Sequence, residues 1–268
     1  MKQRKVIVII SFLFISFSLF SSDIFHSIVK NDYKQIEKYV NNKLELNIKD
    51  ENGWTILHYA CWYERYKIVK LLINKGFDLK LRDKYRRTAL HWAVLAGNIK
   101  IVRLLISDKI NIDAKDTYGF TSLYFACEWG YGDIARLLIE KGADVNICDK
   151  EGIPLISDII AKKRIKMLKL LVKKGIDLNK KDKNGRTPVF YLIIPNDKGW
   201  FLFKEYPNNQ VLLIFKILIK NKANLNIKDK YGKTPLDYAI ENNDKEMIEL
   251  LKKHGAKRGS EINCVEQQ

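Results

Sequence analysis

Residues that bind metals or perform covalent catalysis are scarce in this sequence. Its 268 residues include only four cysteines and four histidines, and no two cysteines have the C-x-x-C spacing of a metal site. The motifs G-x-S-x-G, H-E-x-x-H and G-x-G-x-x-G are absent as well. Residues 231–234 resemble the end of a phosphate-binding loop, but Ile227 stands where that loop needs its first glycine. We therefore predict a protein that is not an enzyme, with no metal, no cofactor and no small-molecule substrate.

The first 22 residues have the composition of a secretory leader. Lys2, Arg4 and Lys5 precede an apolar run at residues 6–20, which is shorter than the about 20 residues of a membrane-spanning helix. We predict a cleaved signal peptide; an uncleaved membrane anchor and a buried helix are the alternatives. The protein is then expected to be periplasmic, secreted or at the cell surface, and anchored by its N-terminus if the leader is retained.

A repeat dominates the rest of the chain. An aspartate opens the same phrase at Asp50, Asp83, Asp116, Asp149, Asp182 and Asp229. Four of the five intervals are 33 residues and the last is 47, so the unit from Asp182 carries an insertion, at residues 195–210. A period of about 20–50 residues predicts a stacked array of repeats, which offers an extended binding surface instead of one catalytic cleft.

Each unit predicts a turn followed by two helices. Asn52-Gly53 is a turn signal, Thr55 can cap a short helix, and a second apolar-periodic run ends before Gly76. Gly142 and Gly175 occupy the same place as Gly76, where the chain needs a left-handed residue. Lys109 and Lys222 stand in that slot in two other units, at a conformational cost of about 1–2 kcal/mol each.

The sequence resembles the ankyrin repeat family, whose T-P-L-H-x-A signature is matched at residues 55–60, 88–93 and 234–239. The resemblance covers roughly residues 23–256. It implies an all-α ankyrin-repeat solenoid of about seven helix-turn-helix units with short β-turn fingers, starting near 23, 50, 83, 116, 149, 182 and 229. His58 and His91 are then signature histidines bonded within the turn. Residues 257–268 are polar and aperiodic, and we predict a flexible tail there.

Aromatic and arginine side chains mark the candidate binding surface. In the family, the finger residues and the outward turn of each first helix line a concave groove. The residues in those slots that we assign to partner binding are Trp54, Trp62, Tyr63, Arg82, Tyr85, Arg87, Tyr118, Phe120 and Trp129. Tyr231 occupies the slot of Tyr85 and Tyr118. Tyr, Trp and Arg dominate interface energetics, so we predict another protein as partner; packing between neighbouring fingers is the alternative.

Positive charge suggests a second surface. The net charge is +17, or +14 without the three leader cations. The unit from Asp149 is the most basic and contains Lys162, Lys163, Arg164 and Lys166. A solvated basic surface is the simplest interpretation, and an anionic membrane or envelope surface is the alternative partner. Nucleic acid is disfavoured because lysine outnumbers arginine.

The insertion at residues 195–210 is unusually apolar for a solvated loop. It carries Trp200 and Phe201. Either these side chains fold back over adjacent helices, or they form a second contact site.

Export can be tested by charge reversal in the leader. Replacing Lys2, Arg4 and Lys5 with Asp should trap a longer form of the protein inside the cell, because a negative N-terminal region opposes insertion into the export machinery. Fractionation and mass measurement of the N-terminus read out the result. Full-length protein found soluble in the cytoplasm of the native cell would contradict the leader.

Overall fold

The computed structural model of the protein describes residues 22–42, 47–106, 110–194 and 208–262. Over these residues the fold is all-α, and the only β pairing is two isolated bridges, Lys49 with Thr55 and Cys148 with Pro154. The α-helices are α1 Ser22–Lys30, α2 Tyr33–Asn41, α3 Ile56–Trp62, α4 Tyr66–Asn74, α5 Ala89–Ala96, α6 Ile99–Leu105, α7 Ser122–Trp129, α8 Gly132–Glu140, α9 Leu155–Ala161, α10 Ile165–Lys173, α11 Asn208–Lys220, α12 Pro235–Glu241 and α13 Lys245–Lys253. Short 3₁₀ helices span Pro188–Leu192 and Gly259–Glu261.

The helices form two stacked layers. First helices of successive units contact one another in the order α1, α3, α5, α7, α9 and the 3₁₀ helix Pro188–Leu192. Second helices do the same in the order α2, α4, α6, α8, α10 and α11. One continuous apolar core runs between the layers from Ile24 to Ala256. The predicted solenoid of seven helix pairs is confirmed, because each pair buries its apolar face only against its neighbours.

First helices lie between neighbours and are buried almost all round. In α5, every residue except Leu95 is buried. Second helices have one buried stripe and one solvated face; α4 buries Ile68, Val69 and Leu72 and exposes Lys67 and Lys70. This difference explains why the second helices show the clearer amphipathic pattern in the sequence.

The signature histidines cap the first helices, as predicted. The backbone N–H of Thr55 donates to Nδ1 of His58 at 2.9 Å, and that of Thr88 donates to Nδ1 of His91 at 3.1 Å. In the last unit Asp237 takes the histidine's place and accepts from the N–H of Thr234 at 2.9 Å. In these three units the slot holds an acceptor for the cap N–H, and histidine supplies one without a charge.

Left-handed residues recur at three places in the repeat: the fingertip, the connection between the two helices, and the end of the second helix. The glycines predicted to follow the second helix have positive φ, at 80° for Gly76, 90° for Gly142 and 81° for Gly175. Lys222 adopts the same conformation with φ 62°, as its position predicted, whereas Lys109 lies outside the described residues. A second left-handed slot, between the two helices, was not predicted. Its occupants are Asn31, Glu64, Gly97, Gly130, Lys163 and Asn243.

The unit from Asp182 departs from the others. Its first helix is a 3₁₀ helix, Pro188–Leu192, and not an α-helix like those of the neighbouring units. Residues 195–207, including Pro195, Trp200 and Phe201, lie outside the described residues, as do residues 1–21 of the leader. Among the described segments, none of the helices combines the length and apolarity needed to cross a bilayer.

The prediction of a flexible tail from residue 257 is wrong for residues 257–262. The Arg258 guanidinium lies 3.2 Å from the carboxylate of Asp237, which also accepts the N–H of Gly259 at 2.7 Å. Ile262 is buried, and its carbonyl accepts from Lys228 at 2.7 Å. The segment folds over the end of the last unit and covers helix α12. Its contacts are one ion pair, a few hydrogen bonds and one buried side chain, which leave no periodic signal in the sequence.

Acid should weaken the fold through its capping histidines. Burial lowers the pKa of His58 to about 4 and that of His91 to about 3, from an ordinary value of 6.5. Unfolding then takes up protons below pH 6.5, so the stability contributed by the neutral rings is complete above that pH and is lost as the pH falls toward the folded values. We expect a loss of about 2 kcal/mol per histidine between pH 7 and pH 5.

Urea denaturation at pH 7 and pH 5, followed by circular dichroism, measures this loss. The variant His91→Asn keeps an acceptor for the Thr88 N–H but does not titrate. Its loss of stability between the two pH values should be smaller than that of the unaltered protein by about 2 kcal/mol. The same loss in both proteins would show that His91 is not the titrating group.

Candidate functional site

The candidate site is the surface formed by the fingers and the first helices. A finger is the turn that begins at a repeat aspartate and ends where the first helix of that unit starts. In the second of these turns, Oδ1 of Asp83 accepts the N–H of Tyr85 at 2.9 Å and of Arg87 at 2.8 Å. Asp50, Asp116, Asp182 and Asp229 accept the N–H groups two and four residues ahead in the same way. One side chain thus closes each turn.

The other carboxylate oxygen ties most fingers to their own first helix. Nine residues after the aspartate, a tyrosine hydroxyl or tryptophan N–H donates to Oδ2. The pairs are Tyr59 with Asp50 at 2.9 Å, Trp92 with Asp83 at 3.0 Å, Tyr191 with Asp182 at 2.8 Å and Tyr238 with Asp229 at 2.6 Å. Burial and the neighbouring aspartate raise the pKa of Tyr59, so its hydroxyl stays protonated as a donor. The nine-residue spacing is visible in the sequence, but this bond was not predicted from it.

Adjacent fingertips are joined through their backbones. The N–H of Lys84 donates to the carbonyl of Asn52 at 2.9 Å, and that of Lys150 donates to Tyr118 at 2.9 Å. Gly119 allows the second of these contacts. Its φ is 81°, and a Cβ there would lie 2.6 Å from the backbone nitrogen of Lys150. The fingertips therefore form one edge with fixed spacing.

Trp54 does not line the groove, contrary to the prediction. It is 6% exposed, and its ring lies 4.1 Å from that of Trp92 and 5.1 Å from that of Tyr59, centroid to centroid. Phe120 is half-buried and stacks on Tyr124 of its own unit at 4.0 Å. Trp54 packs one unit against the next, which is the structural alternative to partner binding.

Arg82 and Arg87, the two arginines of the predicted site, donate hydrogen bonds to the next unit. Nε of Arg87 donates to the buried carboxylate of Asp116 at 3.2 Å, and its guanidinium lies 5.1 Å from the ring of Phe125 and 5.4 Å from that of Trp92. Arg82 donates to the Lys115 carbonyl at 2.9 Å. Arg87 also replaces the missing donor in its neighbour, because the residue nine positions after Asp116 is Phe125. Both arginines hold the groove together.

Tyrosines supply the accessible part of the groove. Tyr63 is 37% exposed and Tyr118 is 42% exposed, while Tyr85, Trp62 and Trp129 are half-buried. The Lys150 ammonium lies 4.8 Å above the ring of Tyr118, and Lys84 lies 5.3 Å from the ring of Tyr85. These contacts hold the rings on the finger edge, so that each presents an apolar face and a hydroxyl.

The family comparison supports this geometry. The family model described as ankyrin repeats (3 copies) matches residues 17–83, 80–149 and 159–264. The chain belongs to the ankyrin repeat family. Its fold is similar to the ankyrin repeat domain of Bcl-3, described as a unique member of the IkappaB protein family, with a TM-score of 0.70 and 20% identity over 81% of this chain and 93% of that chain. A search of curated proteins found no match.

The predicted secondary surface lies in the ankyrin unit from Asp149 and is partly neutralised. Lys162 bonds Glu128 at 2.6 Å and Asp158 at 3.0 Å, and Arg164 lies 3.9 Å from Glu128. Lys163 occupies the left-handed slot between the helices, while Lys166 is exposed. Trp200 and Phe201 lie outside the described residues. The unit therefore presents less free positive charge to a partner than its composition suggests.

No catalytic group emerges from the described ankyrin units. Within them, no cluster of histidine, cysteine, aspartate or glutamate could hold a metal ion. Cys61 and Cys127 are buried free thiols, and burial raises the pKa of both, so they remain protonated. No enzymatic family is indicated; an ankyrin array is typically a non-catalytic scaffold.

Stability measurements separate the packing aromatics from the accessible ones. Trp54→Ala should lower the free energy of unfolding by about 3–5 kcal/mol, because a buried tryptophan that contacts the rings of Trp92 and Tyr59 is removed. Tyr118→Ala should change it by only about 0.5 kcal/mol, because Tyr118 lies at the surface and is 42% exposed. Urea denaturation of both variants is the measurement. Equal stabilities would show that Trp54 is not part of the core.

Proposed function

We propose that this ankyrin protein is exported and binds another protein through the groove formed by its fingers and first helices. The proposal rests mainly on the exposed Tyr63 and Tyr118. Tyr118 lies on a finger and Tyr63 follows the first helix α3, in units whose fingers are closed by the repeat aspartates and which span residues 50–148. Accessible tyrosines on a rigid base are typical of protein-binding surfaces, since they bring large contact area with few rotatable bonds.

Polar groups beside these tyrosines would determine which partner fits. Tyr63 lies near the exposed Glu64, whose carboxylate accepts from the Asn98 amide at 3.3 Å. Tyr118 lies beneath Lys150. The half-buried Trp62 and Trp129 complete the surface at the ends of α3 and α7. A partner segment with apolar side chains flanked by hydrogen-bonding groups matches this arrangement.

Export is supported by the sequence of the leader. Lys2, Arg4 and Lys5 are basic, and residues 6–20 are an apolar run interrupted only by serines. Ser16 and Ser18 supply small residues at the spacing of a cleavage site. Helix α1 begins at Ser22, so a cut after Ser18 would leave every described helix intact. The exported form would then carry the whole groove.

The alternative function, binding to an anionic membrane or envelope surface through the unit from Asp149, has less support. Two of its cations, Lys162 and Arg164, face acidic side chains on the same or the preceding unit. Lys166 remains exposed and available.

The groove can be tested with Tyr63→Ala and Tyr118→Ala. Each should weaken partner binding by about 2 kcal/mol, or about thirtyfold, if the ring is buried on binding. The partner is isolated by affinity capture from the exporting cell on the immobilised protein, and affinities are then measured by surface plasmon resonance. Binding should weaken only modestly with added salt, because the anchors are aromatic.

A matched control is available at the start of the second helix of the same unit. Tyr66 is 40% exposed, close to the value for Tyr63, but it starts the second helix α4. Tyr66→Ala should leave the affinity unchanged. Loss of affinity in this variant with none in the groove variants would place the protein partner on the second helices and overturn the proposal.

A further inference from the structure

A row of cations crosses the second helices at one equivalent position. Its six members are Lys38, Lys70, Arg103, Arg136, Lys169 and Lys216, and all are exposed. The residues two before and two after each of them are buried apolar side chains, such as Ile68 and Leu72 around Lys70. The six positions therefore face the same way, outward from the core. We call them the cation row.

The cation row is continuous over six successive helices. Helices α2, α4, α6, α8, α10 and α11 contact one another in that order. None of the row's side chains forms an ion pair with an acidic residue in the part of the chain that the structure describes. In the last unit the same position is Glu249, where the row ends.

The row is narrow at its centre. In α8 the exposed acids Asp133 and Glu140 lie on either side of Arg136, and Glu140 pairs with Lys174 at 4.0 Å. A flat anionic membrane would meet these acids as well as Arg136. An extended chain following the row would meet only the arginine. The charge pattern therefore favours a thin, linear anionic partner.

The distance between successive cations of the row indicates the conformation of that partner. Packed helices lie about 8–10 Å apart, so the row repeats at that interval. A polypeptide in the polyproline II conformation rises about 3.1 Å per residue with three residues per turn, which brings every third side chain to the same side about 9 Å along. We propose that the cation row binds an extended acidic polypeptide segment with a carboxylate at every third residue. This surface is separate from the groove.

The probe is a fluorescein-labelled peptide, (Glu-Pro-Pro)6, whose prolines favour the required conformation. Its binding to the full chain is measured by fluorescence anisotropy at several salt concentrations. We expect saturable binding that weakens steeply with salt, because the contacts are between exposed charges. A peptide of the same composition with its six glutamates contiguous should bind at least about fivefold more weakly, since only part of the row can be reached.

Charge reversal at the centre of the row provides the decisive comparison. Arg136→Glu should weaken binding of (Glu-Pro-Pro)6 by about tenfold, because one attraction becomes a repulsion. Lys141→Glu makes the same change in charge at an exposed residue of the same unit, off the row, and should weaken binding by less than about threefold. Circular dichroism melts confirm that both variants fold. Tyr63→Ala should leave peptide binding unchanged.

A gain of binding offers a second test. Glu249→Lys extends the row into the last unit and should bind (Glu-Pro-Pro)7 about threefold more tightly than the unaltered protein. Three outcomes would overturn the proposal. They are equal losses in Arg136→Glu and Lys141→Glu, equal binding of the contiguous-glutamate peptide, and tighter Arg136-dependent binding to phosphatidylserine vesicles or to single-stranded DNA than to the peptide.

Discussion

The double use of the finger aspartates is the constraint on which the rest of this structure depends. One oxygen closes the turn on two backbone N–H groups, and in four fingers the other accepts from a tyrosine or tryptophan of the same unit's first helix. The finger and the helix therefore move as one body. Four fingertips also donate a backbone hydrogen bond to the finger before them, through the N–H groups of Lys84, Thr117, Lys150 and Lys230, so the position of one unit constrains the position of the next. These bonds within and between the fingers make the groove rigid.

The repeat period and the turn glycines predicted the fold because both signals are contained within one unit. Helix pairs, histidine caps and the left-handed Gly76 need no knowledge of neighbouring units. The site was harder to predict. Trp54 looks accessible when a unit is considered alone, but it is buried against Trp92 of the next unit. The Arg87 side chain is likewise bonded to the carboxylate of Asp116, 29 residues further along the chain. Contacts between units require the coordinates of both partners, and no single-unit pattern contains them.

Some of what was missed could have been found by comparing slots along the array. The nine-residue interval from aspartate to tyrosine or tryptophan recurs in four units. The members of the cation row also stand at one position of the repeat. Other features leave no such signal. The 3₁₀ helix Pro188–Leu192 reflects packing beside an insertion, and the docking of residues 257–262 rests on two side chains, Arg258 and Ile262, in an aperiodic segment.

Arg87 also makes the order of the units part of the structure. It carries the donor that the following unit lacks, since Phe125 cannot bond to Asp116. Deleting residues 83–115 removes one 33-residue repeat, so the remaining repeats would stay in register. The deletion would nevertheless place Trp54 beside Phe125 and leave Oδ2 of Asp116 without its donor, Arg87. The units have the same backbone fold, but their side-chain contacts with neighbouring units differ, so one unit cannot replace another. Shortening the array by whole periods would therefore preserve the pattern of helices and destroy the fit between neighbours.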